Sequence, residues 1–132
     1  MSLKEMRSLV AASHITPAEL MKCALGIREA EIQTYYALLK GSGGSVQQIA
    51  EMMEKSRPTA QRLLQDLVAK GLATRSESLI GRGGYLFEYN PVPPEMVKET
   101  IKGLLNIWYD KMQRYLENFP EEIAKEARRK PR

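Results

Sequence analysis

The sequence predicts a mainly α-helical chain with one small β-hairpin, and three observations carry that expectation. Apolar residues recur at steps of three and four from Leu3 to Phe119, the spacing that lines one face of a helix. Helix starts are signalled at Thr16-Pro17-Ala18-Glu19, at Ser45-Val46-Gln47-Gln48 and at Ser56, with Pro58 in the turn that follows. One stretch alternates instead: Tyr85, Phe87 and Tyr89 against Leu86 and Glu88, directly after the turn Gly81-Arg82-Gly83-Gly84.

Taken in order, Leu3, Met6, Leu9 and Val10 predict a first helix over 3–13 that buries one side. Thr16 caps a short helix from 17 to about 24, broken near Gly26. Arg28 to Lys40 is strongly helix-forming, with Ile32, Tyr35, Tyr36 and Leu39 on one face, and it stops at Gly41. GSGGS is then a loop, and the helix begun at Ser45 buries Val46, Ile49, Ala50 and Met53. After the connector Glu54-Lys55-Ser56, the next helix turns Ala60, Leu63, Leu64, Leu67 and Val68 inward and Gln61, Arg62, Gln65 and Asp66 outward, at about 100° per residue. Lys70-Gly71 closes it, because glycine tolerates a left-handed cap. LATRSES and YLFEY form the hairpin, and a long helix runs from about 94 to 118.

In that last helix Ile101, Leu105, Trp108, Met112, Tyr115 and Phe119 keep an average step near 3.5, the period that holds one seam in register between two supercoiling helices. They are the expected dimer interface, with a single helix packed across its own domain as the alternative.

Composition bounds the chemistry. The 132 residues suffice for one domain with an appended helix, divided as an N-terminal helix 1–15 near the dimer interface, a domain 16–92, a dimerisation helix 93–119 and a basic tail 120–132. Lys4, Glu5 and Arg7 interrupt the N-terminus, so it does not read as a signal peptide, and no run approaches the roughly 20 apolar residues of a membrane span. A cytoplasmic protein is expected. With Cys23 and His14 each alone in the sequence, Ser-His, Cys-His and multi-histidine metal arrangements are excluded within one chain. No catalytic residue, metal or cofactor is expected, and Cys23 reads as a packing residue.

Charge is uneven. Residues 1–54 carry five basic and six acidic side chains, residues 83–132 nine and eight, and residues 55–82 carry Lys55, Arg57, Arg62, Lys70, Arg75 and Arg82 against Asp66 and Glu77. The formal excess of +4 therefore sits on one helix and the hairpin after it, where it attracts a polyanion. Three helices followed by a hairpin, with the third helix basic at its front, describe a winged helix-turn-helix with a long C-terminal dimerisation helix. Arg57, Thr59, Gln61, Arg62 and Gln65 are then the candidate DNA contacts of the reading helix, about 57–70. Ser56 joins them as a cap able to take phosphate, Ser45, Gln47 and Gln48 contact the backbone, and Arg75 and Arg82 act from the wing, 72–90.

LGIREAEIQTYYALLKG at 25–41, SVQQIAEMMEKSRPTAQRLLQDLVAKGLA at 45–73 and GGYLFEYNP before the long helix resemble the TrmB-like archaeal winged-helix transcription regulators, with MarR- and ArsR-type regulators as distant relatives. The resemblance covers roughly residues 20–120. It implies a homodimer that binds double-stranded DNA and regulates transcription. Longer TrmB relatives carry a C-terminal sugar-binding domain; this chain ends soon after the long helix, so sugar sensing is not among the expectations. Two alternatives stand beside this reading: a winged-helix protein-interaction module of the transcription machinery, and a sequence-tolerant chromatin-like DNA binder.

Overall fold

The computed structural model describes residues 7, 8, 10, 11, 14–79 and 85–129. Most of the first expected helix, the hairpin tip with Arg82, and Lys130 and Arg132 of the tail lie outside the described residues. Among the described residues, 7, 8, 10 and 11 are helical, and four further helices follow them: α1 (Pro17–Leu25), α2 (Glu29–Gly41), α3 (Val46–Met53) and α4 (Arg57–Ala69). An antiparallel pair follows, β1 (Ala73–Leu79) and β2 (Tyr85–Pro91), and then α5 (Pro94–Glu117) and α6 (Phe119–Arg128). Among the described residues no helix is long and apolar enough to cross a membrane.

The helix ends form where local chemistry dictates. Thr16 Oγ1 accepts the Glu19 amide at 3.1 Å, and Gly26 ends α1 at φ +66°. Ser45 Oγ accepts from Gln48 N at 3.2 Å while Gln48 Oε1 accepts from Ser45 N at 2.9 Å, a reciprocal capping box. Ser56 Oγ accepts from Thr59 N at 3.3 Å, and Gly71 takes φ +79° just past Lys70.

Ile32 and Leu38 of α2, Ile49 of α3, Leu64 and Leu67 of α4 and Leu72 after it are all 1% exposed or less and meet in one core. Each such side chain contributes about 1.5–3 kcal/mol by burial. The front of α5 closes this core, and here the structure corrects the seam: Ile101 is 7% exposed and packs within its own domain, so it is not available to a partner. Val68 is a second correction, since it lies 38% exposed at the edge of the stripe that buries its neighbours. A third concerns the tail. Residues 119–128 continue as α6 after a turn at Asn118, with Pro120 in the first turn of the helix.

The GSGGS stretch holds more than a loop. Gly44 donates to Tyr89 O at 2.9 Å and receives the Tyr89 amide at 2.8 Å, a single antiparallel bridge that ties the start of α3 to the wing. Gly43 makes this approach possible. Its φ is +101°, and a Cβ there would stand 3.0 Å from Tyr89 O and 2.6 Å from Asn90 Oδ1. Gly43→Ala is therefore expected to cost roughly 1–2 kcal/mol from the left-handed backbone alone, seen as a lower urea midpoint with an unchanged slope. On the other flank the buried Tyr35 hydroxyl donates to Val92 O at 2.6 Å, fixing the chain where it leaves the wing. Burial, and then Tyr36 beside it, push the Tyr35 pKa up, so the group remains a donor.

Candidate nucleic-acid interface

The interface is built on α4. With Leu63, Leu64 and Leu67 at 2% exposure or less, the rotation of the helix is fixed, and Gln61, Arg62 and Gln65 face solvent on the opposite side. Ser56 and Arg57 are exposed at its first turn and Thr59 is half-buried beside them. Among the described residues no carboxylate lies within ion-pair distance of Arg57 or Arg62. Asp66, expected to point away with them, instead accepts from Arg28 Nη2 at 3.3 Å. That pairing turns the one acid of the outer face toward α2 and leaves the front of α4 cationic.

The start of α3 adds Ser45, half-buried, and Gln47 and Gln48, exposed. All three side chains are already engaged: Ser45 and Gln48 each accept the other's amide in the capping box, and Gln47 donates to Glu51 Oε1 at 2.9 Å. On the wing, Arg75 lies 4.6 Å over the Phe87 ring, a cation–π contact that sequence reading did not provide. The register explains it: Arg75 pairs with Tyr89 and Glu77 with Phe87, so Arg75 and Phe87 are diagonal neighbours on one face. That face turns toward α4, where Gln65, Val68, Arg75 and Tyr89 line a cleft of about 370 Å³. The structure thus brings Arg75 and Gln65 to one cleft and keeps Arg57, Gln61 and Arg62 along the free front of the helix. Lys55, not singled out in the sequence as a contact, is exposed immediately before α4.

What aims α4 is an ion cluster around one buried carboxylate, with half-exposed cations as its partners. Glu31 of α2 is 0% exposed, accepts Arg28 N at 2.9 Å and Arg28 Nε at 3.1 Å, and holds Lys70 Nζ 2.9 Å from both its oxygens. Burial pushes its pKa up; the bonds from Lys70 and Arg28 outweigh this and hold the carboxyl below its usual range. Lys70 sits at the end of α4 and Arg28 reaches Asp66 within it, so two points of the helix are tied to the start of α2. One signal for this was present in the sequence. Glu31 falls one helical turn after Ile27 and before Tyr35, on the apolar face.

Residues 21–95 match the family described as "Sugar-specific transcriptional regulator TrmB". The uncharacterized protein MJ1082 of Methanocaldococcus jannaschii is 38% identical over 106 residues, spanning 80% of this chain and 88% of that protein. A second uncharacterized protein of the same organism, MJ1503, is 33% identical over 108 residues, spanning 81% and 82%. Among solved structures, a possible transcriptional regulator from Methanosarcina mazei aligns with a TM-score of 0.69 at 20% identity, covering 82% of this chain and 92% of that one. The ST1889 protein of Sulfolobus tokodaii aligns at 0.55 and 15% identity, covering 75% and 93%. At these identities the two structures establish the winged-helix fold.

Proposed function

Because the chain belongs to the TrmB family of transcriptional regulators, we propose that it binds double-stranded DNA as a homodimer, with α4 in the major groove and the β1–β2 wing on the backbone or in the minor groove. The observation that carries this reading is the front of α4. Arg57, Gln61, Arg62 and Gln65 are exposed there, free of ion pairs among the described residues, on a helix whose back is locked into the core. A helix about 10–12 Å across fits a major groove about 12 Å wide, and Arg and Gln there pair with guanine and adenine edges. The starts of α3 and α4 add the Val46, Gln47 and Arg57 amides, which the serine caps leave free to hydrogen-bond phosphate.

The dimer is supported by the other end of the chain. Leu104, Ile107, Tyr115, Leu116, Phe119 and Ile123 are 42–66% exposed along α5 and α6, with Leu105 at 37% and Trp108 and Met112 half-buried among them. So long an apolar stripe is what a partner covers. A two-fold dimer then presents its reading helices about 34 Å apart, one duplex turn.

The test is a titration of the full chain on duplex from upstream of its own gene and on random duplex, at two salt concentrations. Specific binding is expected to be about a thousandfold or more tighter than random. Affinity for both falls with salt, by a slope of about 0.9 per phosphate contacted. Equal affinity for the two duplexes would replace the regulator with a sequence-tolerant binder, and no binding to either at low salt would remove DNA altogether. Light scattering is expected to give twice the 15.0 kDa chain mass.

A further inference from the structure

An open apolar groove of about 480 Å³ runs between α1, α2 and the first half of α5. Leu20, Tyr36, Leu39 and Leu105 stand in its walls, with Lys98 and Lys102 along its α5 edge. No described part of the chain fills it. At the far end of α5, the helix α6 buries none of its residues. Phe119, Ile123 and Ala127 follow one another at four-residue steps, an apolar stripe, and Glu122 and Glu126 flank it one turn apart. Lys98 and Lys102 are likewise one turn apart. Their present partners, Glu95 and Glu99, are exposed neighbours at 2.8 and 4.0 Å, pairs of little strength.

We propose that α6 of a second copy lies in this groove, with Phe119 and Ile123 against its apolar walls and Glu122 and Glu126 beside Lys98 and Lys102. The inference rests on the homodimer reading and specifies what its interface contains. Groove and helix sit at opposite ends of α5, whose 24 residues span about 36 Å. A two-fold axis crossing α5 near Trp108 therefore sets each α6 beside the groove of the other copy, and the same contact is made twice. Within one copy α6 adjoins the last turns of α5, away from the Pro94–Leu105 half that lines the groove.

The experiment uses the full chain with Cys23→Ser, carrying either Leu20→Cys on the far wall of the groove or Ile123→Cys on α6. The two proteins are unfolded together, refolded and oxidised. A covalent dimer is expected from the mixture and not from either protein alone, because α1 lies outside the α5 seam and meets α6 only through the groove. A dimeric mass by light scattering without that cross-link would overturn the placement of α6, leave the dimer standing, and assign the groove to another occupant such as an apolar small molecule. A monomeric mass would overturn both. Charge reversal gives a second readout on exposed residues that leave the core untouched. Lys98→Glu with Lys102→Glu is expected to weaken dimerisation at least tenfold at low salt, and adding Glu122→Lys with Glu126→Lys to the same chain to restore it; failure to restore counts against the proposal.

Discussion

A Lys70→Met chain is expected to lose about 3 kcal/mol of stability at neutral pH, the lower end for breaking a buried ion pair, since Lys70 itself is 35% exposed. Methionine keeps most of the apolar stem, so the loss isolates the ammonium. Without it the fully buried Glu31 carboxylate retains only Arg28 as a charged partner. The pH dependence tests the cause. In the native chain the folded pKa of Glu31 lies below its usual 4.5, so the cluster stabilises fully above that value and its contribution is lost as pH falls through the folded pKa. In Lys70→Met the largest of the lowering bonds is gone and only those from Arg28 remain, so the folded pKa rises from its native position and the variant loses less than the native chain as pH falls. Urea midpoints of the two proteins should therefore converge as pH drops toward about 4. A gap that stays constant between neutral and acidic pH would mean that the carboxylate is not what Lys70 serves. Because Lys70 and Arg28 tie α4 to α2, the same variant is also expected to loosen the helix that carries the candidate DNA contacts.

Much of this arrangement is written locally. Ser45 with Gln48, Ser56 with Thr59 and Gly71 after Lys70 each settle a helix end within four residues, and the structure places those ends where the spacing does. The outward face of α4 was legible for the same reason, because a three-and-four period fixes which residues turn out, except at the edge of the stripe where Val68 lies. What escaped depends on partners distant in sequence. The Gly44–Tyr89 bridge joins one residue to one residue, with no alternation to announce it. Arg75 over Phe87 follows from hairpin register, which neither strand states alone. Ile101 carries the same step as Leu105, and only the packing of α1 and α2 against α5 separates the core residue from the exposed one. The helix at 119–128 is a different case: its signals are local, a proline in the first turn and apolar Phe119, Ile123 and Ala127 at four-residue steps, in a stretch whose basic residues read as a tail.

Arg62→Ala is expected to weaken binding to the specific duplex by about 1–3 kcal/mol, roughly five- to 150-fold, while leaving the fold intact. Neutrality toward the fold follows from its place: Arg62 is exposed, opposite the buried stripe, and lacks an ion-pair partner among the described residues, so its truncation stays within about 0.5 kcal/mol of native stability. The pattern of the loss separates two roles. If Arg62 pairs with a base edge, affinity for random duplex barely moves, the salt slope is unchanged, and Arg62→Lys fails to rescue because lysine lacks the planar fork. If it holds a phosphate, both duplexes lose affinity alike, the slope falls by about one, and lysine rescues. Arg57, at the first turn beside the Ser56 cap, is the natural contrast and is expected to follow the phosphate pattern. Native affinity of Arg62→Ala for the specific duplex, with an unchanged melting curve, would take α4 out of the groove and return its cationic front to the role of a solvated helix face.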